Sequence, residues 1–384
     1  MRSTILVGIA ALGIAACSDS TSPVSQRAVT SAQLSGDRQT SGAQGAVFTE
    51  TNAVAGNAVV AFARAEDGSL SYAGTFPTGG TGIGGTNDPL TSQYSLLLSD
   101  NAKLLFVANA GSNSVSTFRV DGANLSLVGT TSSGGDLPTS LAIAHNTLYV
   151  LNANSNTVAG FDIGDDGSLS PNVRASSALA AGAIGGAAVR ASRDGTWLVV
   201  TEKGSKSIDV FSVAGNGALG SPVRSVSSGV TPFGFDFVNG NQIAVSEAGS
   251  AAASLYDISK DGSLNVESAS VSTNGQAAPC WLITTASGRF AYTANAGSGT
   301  ISGYTIGTQG QLALIDASGV TGSAGAGSTP LDLDLSRGDQ YLYVLLSSAG
   351  RIGAFAVGSD GSLSSLAGIG GLAASSGFQG LAAY

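Results

Sequence analysis

Six side chains capable of chemistry recur at one register of a repeated pattern. Aligning the segments VFTETN, FVANAG, YVLNAN, VVTEKG, AVSEAG, YTANAG and YVLLSS brings Glu50, Asn109, Asn152, Glu202, Glu247 and Asn295 to one position, with Leu346 in the seventh copy. A strand position packed against a neighbouring sheet is ordinarily Val or Ile. A polar ring near the mouth of a channel could hold a hard cation such as Ca2+, with Glu50, Glu202 and Glu247 as ligands, or a hydroxyl-rich ligand. No other cofactor is expected. The same side chains could instead tie down their own turns, because Asn and acidic groups bond nearby backbone amides. Carboxylates that converge without a cation raise at least one pKa by repulsion.

Other reactive types are sparse. His145 is the one histidine, in a turn between two strands. Asp332 and Asp334 alternate along one strand, as Asp236 and Arg190 do singly in two others; structural carboxylates with satisfied hydrogen bonds are the expectation there. Gly80-x-Gly82-x-x-Gly85 matches a dinucleotide fingerprint, but Asn87-Asp88-Pro89 and another strand follow it where a helix is needed.

The elements that position these residues are short strands. In RDGTWLVVTEKGSKSIDVFSVAGNGALG, residues 193–220, an apolar β-branched run is followed by a polar turn, an alternating run and a second turn. That is the strand and hairpin signal. Asp67-Gly68-Ser69-Leu70 recurs at Asp166, Asp261 and Asp360, and degenerate copies end at Leu125, Leu219 and Leu312. Asp-Gly favours tight hairpins in which both central residues take positive φ. The marks lie about 44 to 55 residues apart, the size of a four-stranded propeller blade. No helical period appears after residue 45.

Repeats two to seven each open with an extra segment, beginning near Tyr94, Pro138, Ala187, Pro232, Pro279 and Pro330. The first repeat starts directly at Val47, and the missing piece appears at Phe378–Tyr384. The sequence therefore predicts an all-β, seven-bladed β-propeller over residues 46–384, with four-stranded antiparallel blades and the C-terminal strand completing blade one. Closure removes sheet edges that would invite aggregation.

Charged residues make up only 11% of the chain and Gly numbers 55, unlike a helical enzyme of this size. A net charge of −9 with no basic run argues against nucleic acid. Two cysteines allow no disulfide framework and no CxxC site. Residues 1–16 read as an export signal: Arg2 is followed by an apolar run from Ile5 to Ala16, too short to span a bilayer. Ile14-Ala15-Ala16-Cys17 resembles a bacterial lipoprotein cleavage box, which implies lipidation of Cys17; the alternative is an ordinary signal and a stray cysteine. Ser18 after it resembles outer-membrane sorting. The Ser/Thr-rich remainder of residues 17–45 reads as a tether spanning roughly 30 Å.

The DGSL turns, SRDGTWLVVTEKGSKSIDVF, GVTPFGFDF and RFAYTANAGSGTISGYTI resemble the seven-bladed lactonase-type propellers, which include bacterial 6-phosphogluconolactonases and fungal carboxymuconate-lactonizing enzymes. The resemblance covers residues 46–384 and is strongest to an exported bacterial branch. It implies catalytic His, often after Pro, at the start of an inner strand, with Arg and Glu nearby. The matching positions here are Thr139, Ala188, Phe233, Cys280 and Leu331, none of them His or Arg. Glu202 is the one match to a catalytic Glu. The favoured reading is thus a monomeric, non-catalytic envelope lipoprotein, anchored by lipid alone, that binds a small molecule, a cation or an envelope protein. Lactone hydrolysis with Glu202 as base is the alternative.

Overall fold

The alternating runs form seven antiparallel sheets, six of them built from strands consecutive in sequence and the first completed by the C-terminal strand. The computed structural model describes residues 44–384; the expected export signal, Cys17 and nearly all of the expected tether lie outside the described residues. Inner strands run Leu96–Leu98, Pro138–Ala144, Gly186–Ala191, Pro232–Asn239, Pro279–Thr284 and Pro330–Leu335 in blades two to seven. Blade six adds a short strand, Gly322–Ser323, beside Thr300–Ile301. Among the described residues there is no α-helix, only a 3-10 turn at Ala248–Ser250.

The ring closes as the sequence predicts. Gln379–Ala383 is the inner strand of blade one, pairing Ala383 with Val47 and Ala382 with Phe48. Blade seven holds this strand through side chains: Asp334 Oδ2 accepts from Ala383 N at 2.8 Å, and Asp332 Oδ2 from Gly380 N at 3.1 Å. Asp236 acts likewise between blades five and six, accepting from Thr284 N and Oγ1 at 3.1 and 3.0 Å. Inner-strand carboxylates therefore staple blade seven to blade one and blade five to blade six.

The Asp-Gly turns differ from the expectation of two positive φ angles. Only the glycine is left-handed, with Gly68 at φ +82°. The aspartate accepts instead from the serine two residues on: Asp67 Oδ1 takes Ser69 N at 3.0 Å and Ser69 Oγ at 2.6 Å. This local bond holds the aspartate in the ordinary region and lengthens the turn. The turn then docks on the preceding blade. Tyr343 OH donates to Gly68 O at 2.8 Å, Tyr149 OH to Gly217 O at 2.7 Å and Tyr292 OH to Gly361 O at 2.9 Å. The apolar core lies between blades, where Trp281, Tyr149, Tyr292 and Tyr343 are fully buried.

Candidate functional site

All six ring residues are fully buried, at 0% exposure. Each turns into its own blade, beneath the loop that leads into it. Asn109 donates to Ser116 Oγ at 2.8 Å, Asn152 to Ser133 O at 3.0 Å and Asn295 to Ser302 Oγ at 2.8 Å. Glu247 Oε1 accepts from Gly229 N at 2.7 Å and Ser254 Oγ at 2.6 Å, and its Oε2 from Ser270 Oγ at 2.5 Å. Gly229 has to be glycine, because a Cβ there would lie 2.0 Å from Glu247 Oε2. Only Glu50 and Asn109 are brought together, through Asn57 Nδ2, which donates to both at 2.6 and 3.2 Å.

The three glutamates are not placed to share an ion. Among the described residues no three Asp, Glu, His or Cys side chains are placed to hold a metal. Each glutamate is already bonded within its own surroundings, so the Ca2+ arrangement does not fit this geometry. Glu202 is also not an accessible base. Arg224 Nη2 reaches its two oxygens at 2.7 and 2.8 Å, and Ser205 Oγ donates at 2.5 Å. Arg224 Nε binds Asp209 as well, at 2.9 Å. Burial, with Asp209 close by, pushes the Glu202 carboxyl up to about 7.

The channel end nearest this ring is filled by the chain itself. Leu90–Tyr94, entering blade two, crosses the axis and bonds to the inner strands of the other blades. Ser92 Oγ donates to Thr139 O at 2.8 Å, Gln93 N to Ala187 O at 3.0 Å and Tyr94 OH to Phe235 O at 2.9 Å. Gln93 spans to blade six, donating to Leu282 O at 2.8 Å and accepting from Leu282 N at 3.1 Å. Trp281 Nε1 donates to Ser92 O at 2.9 Å. The positions matched to the catalytic histidines, Thr139, Ala188, Phe233, Cys280 and Leu331, are all fully buried at this end.

The opposite end, beside the turns between first and second strands, is open. A cavity of about 660 Å³ lies there. Tyr94, Arg190, Asp236 and Asp334 line it, with His145 and Arg193 among its turn residues. Arg190 stacks over the Tyr94 ring at 4.4 Å and its Nε approaches Asp236 at 3.4 Å. Its Nη1 and Nη2 meet no acceptor among the described residues, and its side chain is 28% exposed. Burial raises Asp334 to about 7, against the pull of Arg190. Sequence reasoning drew attention to the buried end of the second strands and not to this open end. The available signal was Arg190, a lone guanidinium on an otherwise apolar inner strand.

Residues 55–182 and 144–280 match the family described as lactonase, 7-bladed β-propeller. The chain belongs to this family. No curated protein matches the chain in sequence. Among solved structures, the lactonase-type disc is similar to the periplasmic gluconolactonase PpgL of Pseudomonas aeruginosa, at 18% identity and TM-score 0.65, covering 88% of this chain and 99% of that one. It is similar to a candidate 6-phosphogluconolactonase of Bacteroides fragilis, at 16% identity and TM-score 0.67, covering 91% and 100%. It also resembles a Lactobacillus plantarum protein, at 16% identity and TM-score 0.68, covering 88% and 98%. Identities this low carry the fold alone.

Proposed function

We propose that this lactonase-type propeller binds a small hydroxy acid or its lactone in the open chamber, with Arg190 as the recognition group. The observation that carries this reading is a guanidinium with both terminal nitrogens free inside a 660 Å³ cavity. Such a fork matches a carboxylate or a polarised carbonyl. Binding without turnover is the first reading, because the positions matched to the family's catalytic histidines carry neither His nor Arg and are fully buried. Titrating the protein with gluconate and with glucono-lactone by calorimetry tests it. Arg190→Gln should weaken binding at least tenfold. Heat at the dilution baseline for both compounds would sink the reading.

Hydrolysis in the same chamber is a second reading, favoured by Asp334. A carboxyl raised to about 7 near Arg190 suits a general base near neutral pH. Asp334 would take a proton from water as the water oxygen bonds to the lactone carbonyl, with Arg190 facing the oxyanion. When the ring C–O bond breaks, that proton passes to the leaving alkoxide. Acid release from a lactone panel, abolished in Asp334→Asn, would support this; release at the buffer rate would end it. We further propose an exported, lipid-anchored monomer, supported by Arg2, the apolar run and Cys17. Mass spectrometry of the mature N-terminus checks the lipid.

A further inference from the structure

We infer that a notch between blades three and four is a binding site for a single neutral sugar unit, separate from the chamber. The notch has a volume of about 420 Å³. It lies where the last turn of blade four, with Gly215 and Asn216, meets the second, third and outermost strands of blade three.

One register of the repeat explains the space. Turn glycines dock beside the first residue of the preceding blade's second strand. Leu104, Trp197, Phe290 and Tyr341 hold that position in blades two, four, six and seven. A Cβ on the facing glycine would lie 2.9 Å from Leu104 at Gly167, 3.7 Å from Trp197 at Gly262, 2.6 Å from Phe290 at Gly361 and 2.5 Å from Tyr341 at Gly68. In blade five Glu267 covers Gly310 instead. In blade three the residue is Thr147, facing Gly217. The tyrosine clasp beside it is kept, since Tyr149 OH still donates to Gly217 O. The two blades therefore meet as others do, but without the bulky side chain that close packing requires there.

The lining is polar and incompletely paired. Asn172 Nδ2 donates to Asp162 Oδ1 at 2.7 Å, and Asn146 Nδ2 donates to Ile163 O. Asn216 Oδ1 accepts from Ala218 N at 3.2 Å. Two acceptors, Asp162 Oδ2 and Asn146 Oδ1, and two donor groups, Asn216 Nδ2 and the Arg174 guanidinium, then have no partner among the described residues. Arg174 and Asp162 line one notch yet form no ion pair there. Interleaved donors and acceptors suit hydroxyl groups, each of which gives and takes a hydrogen bond. A bare anion would meet Asp162 and a bare cation Arg174, so a neutral polyol fits better than either. The volume admits one pyranose ring.

Titration with glucose, galactose and N-acetylglucosamine, followed by NMR at the side-chain amides of Asn146, Asn172 and Asn216, tests the site. At least one sugar should shift these signals saturably, with a dissociation constant of roughly 1 mM. Thr147→Phe, which restores the ring that blade six has at this register, should abolish the shifts. Asp162→Ala, at an exposed side chain, should weaken binding roughly fivefold or more and decides the matter if Thr147→Phe does not fold. Arg190→Gln should leave the titration unchanged, so the result does not depend on what the chamber binds. Signals unmoved by all three sugars, shifts that persist in a folded notch variant, or shifts lost in Arg190→Gln would overturn the inference.

Discussion

Two fully buried carboxylates, Glu202 and Asp209, share Arg224, and the residue scale of this protein is governed by such arrangements. Removing the guanidinium strands both acids in a dry interior. Arg224→Met should cost about 3–5 kcal/mol of stability in urea unfolding, and adding Glu202→Gln should recover part of it. The pH dependence follows from the groups near the axis. Glu50 titrates at about 8 folded against 4.5 as a free side chain, and Asp332 and Asp334 at about 7 against 3.8. Between roughly pH 4 and 8 the folded protein keeps protons that the unfolded chain has released, so stability falls as pH rises through that window. Lys203, depressed to about 8 from 10.5, acts oppositely, but only above pH 8. Calorimetry should show the melting temperature dropping by roughly 5 °C or more from about pH 5.5 to about pH 8. The polar ring was visible in the sequence as a repeated register. Its burial was not, because a period of two tells which face a side chain takes and not which loop covers that face.

At the scale of the element, the repeated unit is a hairpin turn caught by a tyrosine from the neighbouring blade. Tyr343→Phe removes the bond to Gly68 O and should cost about 1 kcal/mol in chemical denaturation. Gly68→Ala should cost more, since its Cβ would lie 2.5 Å from the Tyr341 ring at a φ of +82°. The DGSL marks were legible because Asp, Gly and Ser each have a local reason to be in a turn. The tyrosine clasps were not, since Tyr343 and Gly68 lie 275 residues apart and nothing near either one names the other. The turn type was misjudged for a related reason: the Asp67 side chain bonds Ser69 and replaces a backbone geometry that the dipeptide alone would favour.

For the whole molecule, closure was legible from the offset between the first repeat and the rest. Deleting residues 379–384 should leave Val47 and Phe48 on an open edge and replace cooperative melting by aggregation, followed by light scattering. The filled channel was not legible. Pro89–Ser95 carries no periodic pattern, and Gln93 meets Leu282 across 189 residues. While that segment is seated, the cavity has a single doorway. Whatever forms or unbinds inside must retreat along the route by which its precursor arrived. A reaction product would therefore compete directly with incoming reagent, and nothing could be passed along the axis to a protein docked on the other face.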